Sequence, residues 1–226
     1  AGARALIVLT RGMGRGPDSH NAALAAVARE RGLRVLGPNC LGVIAPHARL
    51  HASFAAHRPP PGDLALVSQS GSVGAAMIEW ASQRGLGFSA VVSLGDAIDV
   101  DFADMLDWFA VDRHTRAILL YLEDVGDARK FLSAARAAAR GKPVVVVRPG
   151  RHARRSGPLA SHAAALATPD AVYDAAFRRA GLLRVHALDE LFAAAETLSH
   201  LGRVPGKRLA VLTNGAGTGL LALDRL

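Results

Sequence analysis

The sequence predicts an α/β fold, doubly wound, with mainly parallel sheets. Three observations carry this. Unbroken apolar runs of strand length recur along the chain, helical patterns separate them, and glycine or serine turns join the two. Continuous apolar strands are buried on both faces, and right-handed crossovers then place helices on both sides of the sheet. In such folds ligands collect at the carboxyl ends of the strands.

In chain order, residues 5–9 read as a buried strand, followed by a glycine loop and a helix over 19–31. A short strand over 34–36 ends at the turn Gly37-Pro38-Asn39-Cys40. After the proline-rich stretch Pro59-Pro60-Pro61-Gly62 a fresh unit begins. Its strands are expected over 64–67, 88–93, 117–122 and 143–147, with helices over 72–84, 101–109 and 127–140 between them. A further strand over 209–212 leads into a glycine loop and a helix. The chain starts without methionine, almost on a strand, and stops inside a helix. The expectation is a piece of a longer protein.

Half of the 226 residues are apolar, enough for a sizeable core, and only 5% are aromatic, so alanine and branched aliphatics must fill it. The net charge of +8 comes from arginine: only Lys130, Lys142 and Lys207 are lysine. The basic residues are scattered, and the densest group, Arg151, Arg154 and Arg155, has no interleaved aromatics. That pattern argues for a solvated surface and against a nucleic-acid partner. Cys40 is the single cysteine, so no intramolecular disulfide forms. With no apolar run of membrane-spanning length and no signal peptide, a cytoplasmic protein without a membrane partner is expected.

Several residues at strand ends carry candidate chemistry. Ser68-Gln69-Ser70-Gly71-Ser72 joins a buried strand to a helix, where exposed amides and hydroxyls make an anion site, or equally an ordinary serine cap. His162, in Ala160-Ser161-His162-Ala163-Ala164, is either a phosphoryl acceptor or a solvated loop residue. Glu123 is placed to orient an imidazole or to flank the following helix. Asn39 and Cys40 stand at another strand end, where an amide can hold a small ligand. Asp99, Asp101 and Asp104 have incomplete hard-metal spacing, and Asp101 with Asp104 reads as a helix cap, so no metal site is expected. The glycine runs at 12–16 and 215–219 lack dinucleotide spacing and read as tight turns.

Taken together, Leu36-Gly37-Pro38-Asn39-Cys40-Leu41-Gly42, Val67-Ser68-Gln69-Ser70-Gly71, Ser93-Leu94-Gly95-Asp96 and Tyr173-Asp174-Ala175-Ala176-Phe177 resemble the NDP-forming acyl-CoA synthetases of the succinyl-CoA synthetase superfamily. The resemblance implies three regions. Residues 1–58 correspond to the C-terminal half of a CoA-binding Rossmann-like domain and 59–203 to a flavodoxin-like succinyl-CoA-ligase domain. Residues 204–226 correspond to the start of a further α/β ligase domain. It implies acyl-phosphate formation from acyl-CoA and phosphate, phosphoryl transfer to a histidine, and transfer to a nucleoside diphosphate such as ADP. By resemblance, His162 is the phosphorylated histidine and Glu123 its hydrogen-bond partner. Ser70, Gly71 and Ser72 hold the phosphate, and Asn39 with Cys40 edges the CoA site. ATP or ADP with Mg would bind through an ATP-grasp domain or subunit, which this sequence lacks. Ala164 departs from the family pattern, which has glycine there. A narrower resemblance, in Leu50-His51-Ala52-Ser53-Phe54-Ala55 and Leu120-Tyr121-Leu122-Glu123, is to Pat-type protein lysine acetyltransferases, which join a synthetase-like region to an acetyltransferase domain. It implies an acyl-CoA-binding regulatory region as the alternative function. A homo-oligomer is compatible with both.

Overall fold

The computed structural model describes residues 2–150, 169–201, 206 and 208–224. Two parallel strands, β1 (Ala5–Ile7) and β2 (Arg34–Leu36), form a small sheet, linked through α1 (His20–Arg31). Ser19 caps α1 by accepting the Ala22 N–H, and Gly32 closes it in the left-handed conformation.

Among the described residues, the larger sheet has seven strands in the order β4-β3-β6-β5-β7-β8-β9. Its parallel body is β5 (Pro61–Ser68), β6 (Phe88–Ser93), β7 (Ala117–Tyr121), β8 (Val144–Val147) and β9 (Leu183–Val185). β3 (Gly42–Ala45) and β4 (Leu50–Ser53) form a hairpin that adds antiparallel to β6. That hairpin precedes the proline-rich stretch, yet its hydrogen bonds belong to the larger sheet.

Alternate residues of each strand serve opposite faces, as a period of two requires. Ala65, Val67, Ile118, Leu120, Val144 and Val146 face α3 (Phe102–Val111), α4 (Ala128–Gly141) and α5 (Asp170–Ala180). Leu64, Leu66, Ala117, Leu119, Val145 and Val147 face α2 (Gly71–Gln83) and α6 (Leu188–His200). Trp80 of α2 stacks on Phe192 of α6 at 4.8 Å, which fixes the two helices on that face. The expected central strands and helices all form, within a few residues.

The helix starts follow from local side-chain chemistry. Asp101 and Asp104 make a reciprocal capping box at α3, so these carboxylates are occupied as caps. Asp127 accepts the N–H groups of Arg129 and Lys130 at α4. The strand expected over 209–212 does not form. Residues 208–213 are irregular and Leu209 and Leu212 are exposed, because no strand among the described residues pairs with them. The glycine loop after them does lead into a helix, α7 (Ala216–Leu223). No helix among the described residues is long and apolar enough to cross a membrane.

Candidate functional site

β5 is central. The chain leaves it through α2 to β6 on one side, then crosses back through α3 to β7 on the other. Successive connections therefore part between the carboxyl ends of β5 and β7, the crevice where such sheets bind ligands. A cleft of about 850 Å³ opens there, between that edge and the loops of the small sheet. Asn39, Cys40, Ser70, Gly71, Ser72 and Glu123 all line it, drawn from three separate loops. His162, expected at the same edge, lies outside the described residues.

The floor of the cleft is the start of α2. Ser68 is fully buried at the end of β5, where its hydroxyl donates to Ser70 O at 2.7 Å and accepts the Ser70 N–H at 3.1 Å. This turn sets Ser70 as the N-cap, whose hydroxyl accepts the Val73 N–H at 3.3 Å and meets the Ser72 hydroxyl at 3.0 Å. The serine-cap reading is therefore correct, and it leaves room for the anion reading. The N–H groups of Gly71 and Ser72 lie in the first turn, where a helix offers no internal acceptor. No acidic residue occupies that turn. A Cβ at Gly71 would sit in ordinary contact with Leu41, at 3.5 Å. The donors and the small residues fit a phosphate group.

One wall is the turn at Gly37–Cys40. It is locked to the large sheet by backbone hydrogen bonds, Asp96 N–H to Pro38 O at 2.8 Å and Ile98 N–H to Gly37 O at 3.3 Å. Gly95 permits this contact: its φ is +57°, and a Cβ there would run into the carbonyl oxygens of Pro38 and Asn39. Asp96 then gathers the polar residues of the wall. It accepts from Asn21 Nδ2 at 3.0 Å and from Asn39 Nδ2 at 3.4 Å, and pairs with Arg15 at 4.0 Å. Cys40 is 5% exposed, its thiol directed at Val8 O at 3.4 Å, and burial pushes its pKa up. That is the opposite of what a nucleophile needs.

The remaining wall follows β7. Glu123 and Asp124 present their backbone N–H groups to Gln69 Oε1 at 2.6 and 2.9 Å. Asp124 accepts from the Tyr173 hydroxyl at 3.2 Å. Burial, and then the Asp124 charge, push the Tyr173 pKa up, so the phenol stays protonated and donates. Below it the Arg148 guanidinium, 2% exposed, sits 3.9 Å over the Tyr173 ring and pairs with Asp170 at 3.5 Å. Gln69 and Asp96 stand inside the sequence motifs, which mark no role for them, whereas neither Asp124, which also lines the cleft, nor the buried Arg148 behind it falls in a motif. Their shared signal is position, each falling within a few residues of the carboxyl end of a strand. Among the described residues, no group of three or more His, Cys, Asp and Glu side chains is placed to hold a metal ion.

Comparison with known proteins shows the family. Residues 61–198, more than half of the chain, match the model of the succinyl-CoA ligase like flavodoxin domain. The chain belongs to that family. It is 43% identical over 201 residues to "Acetate–CoA ligase [ADP-forming] I subunit alpha" of Pyrococcus furiosus, covering 89% of this chain and 44% of the relative. It is 33% identical over 229 residues to the corresponding II subunit alpha of the same organism, covering 100% of this chain and 50% of the relative. Among solved structures, it is similar to dinucleotide forming acetyl-coenzyme A synthetase 1 of Ca. Korarchaeum cryptofilum in complex with phosphate and ADP. There the TM-score is 0.90 at 34% identity, over 98% of this chain and 48% of that one. This member of the succinyl-CoA ligase like flavodoxin family thus spans about half the length of these three relatives.

Proposed function

We propose that this chain is the CoA-ligase portion of an ADP-forming acyl-CoA synthetase of the acetyl-CoA type. The observation that carries the reading is the cleft itself. In a member of this family, it gathers the start of α2 with its first-turn amides, the Asn39–Cys40 turn and Glu123 around one space. Relatives named as ADP-forming acetate–CoA ligases, and a similar structure holding phosphate and ADP, point to the same chemistry.

In the proposed sequence, phosphate bound at Gly71 and Ser72 attacks the acyl carbonyl of acyl-CoA. The C–S bond breaks, the thiolate leaves as CoA after protonation, and an acyl phosphate remains. An imidazole nitrogen of His162 then takes the phosphoryl group and the acyl group departs as carboxylate. Glu123 accepts the N–H of the other imidazole nitrogen, which holds the ring and stabilises its positive charge. Transfer from His162 to ADP yields ATP, in an ATP-grasp domain or subunit that supplies the Mg-nucleotide site.

The test uses the complete protein with its ATP-grasp partner, acetyl-CoA and radiolabelled phosphate. Acid-labile, base-stable label on the chain is expected, with its loss in His162→Ala. Folded wild-type protein that binds acetyl-CoA and takes up no label would sink the ligase reading. That result would favour an acyl-CoA-binding regulatory region of a lysine acetyltransferase.

A further inference from the structure

Gln69 sits one residue past the end of β5, directly before the helix start that forms the floor of the cleft. Its Oε1 reaches across the crevice to accept the N–H groups of Glu123 at 2.6 Å and Asp124 at 2.9 Å. A backbone N–H can only donate, so the end of the amide that meets both must be oxygen. Its own backbone N–H donates to Tyr121 O at 3.1 Å, which ties the main chain to the same strand end. The orientation of the side-chain amide is therefore set by two contacts, on a main chain held by the third. Nε2, on the other side of the planar group, keeps two donors that meet no acceptor among the described residues. The side chain lines the cleft next to Ser70, Gly71 and Ser72.

We propose that Gln69 Nε2 donates a hydrogen bond to an oxygen of the phosphate group held at the start of α2, an inference that rests on the phosphate site proposed above. A neutral amide suits a group that must later be handed on. It adds a directed donor to the Gly71 and Ser72 amides without the fixed positive charge that would hold the anion tightly. Gln69 is thus a binding residue, and the same side chain keeps Glu123 in register with the phosphate.

The clamp and the donor can be separated. Gln69→Glu keeps an oxygen for the N–H groups of Glu123 and Asp124 but replaces the donating nitrogen with a second acceptor. Gln69→Ala removes both. Inorganic phosphate is titrated calorimetrically into the complete protein with its ATP-grasp partner, and urea unfolding is followed in parallel. Gln69→Glu is expected to unfold near the wild-type midpoint while binding phosphate at least about tenfold more weakly, because the donor is lost and the new carboxylate repels the anion. Gln69→Ala should lose both affinity and stability. Phosphate binding by Gln69→Glu within threefold of wild type would overturn the proposal and leave Gln69 as a clamp alone. Wild-type protein that binds no phosphate would instead overturn the phosphate site, and this inference with it.

Discussion

Replacing Gly95 with alanine tests how the cleft is held open. The turn at Gly95–Asp96 seats against the carbonyls of Pro38 and Asn39, joining the small sheet's loop to the large sheet. Alanine there meets two penalties. At φ +57° an L-residue costs about 1–2 kcal/mol. The new Cβ would also lie 2.5 Å from Asn39 O and 2.6 Å from Asn39 C, backbone atoms that cannot swing aside, and such overpacking costs about 1–3 kcal/mol. Gly85 supplies the control: its φ is +66° and a Cβ there meets nothing within 4 Å, so only the first penalty applies. Urea unfolding should therefore show Gly95→Ala less stable than Gly85→Ala by about 1–3 kcal/mol. Two variants equal within about 0.5 kcal/mol would refute the claim that this contact fixes the wall.

Lys130 predicts an acid-stability effect. Burial alone would raise the pKa of Asp104, but hydrogen bonding and charge from Lys130, with the Asp101 N–H, outweigh it and hold the carboxyl below its ordinary value. A depressed folded pKa contributes stability that is present above the unfolded pKa of about 3.9 and lost as pH falls through the lower folded value. Lys130→Met should therefore shift acid unfolding, followed by circular dichroism, to higher pH, and an unchanged midpoint would count against the pairing. Cys40 should label with a thiol-specific disulfide reagent at neutral pH at least about tenfold more slowly in the native protein than in urea. Equal rates would contradict its burial and raised pKa.

The readable parts of this protein were those whose cause is local. Ser19, Ser70, Asp101 and Asp127 cap helices because their oxygens accept N–H groups two or three residues ahead. The central strands are apolar runs, and their burial makes them so. The β3–β4 hairpin was not legible, because each strand has four residues and Leu50–Ser53 mixes leucine with histidine and serine. Residues 209–212 read as a strand from composition, which says nothing about whether a partner is at hand. Strand ends and motif resemblance single out Asn39, Cys40, Ser70, Gly71, Ser72 and Glu123 as candidates, and the fold brings these six to one cleft. The task of Gln69 stayed hidden because its bonds to Glu123 and Asp124 span 54 and 55 residues of chain. No local pattern encodes a contact of that range.

The shared oxygen of Gln69 also bears on how the site can be redesigned. Two amides of one loop depend on a side chain from another, so residue 69 and the loop at 123–124 form a single unit of variation. A library randomised at position 69 alone would be judged by the damage to that loop before any change in ligand preference could show. Varying the two together lets a new side chain be selected along with a loop that no longer needs the old one.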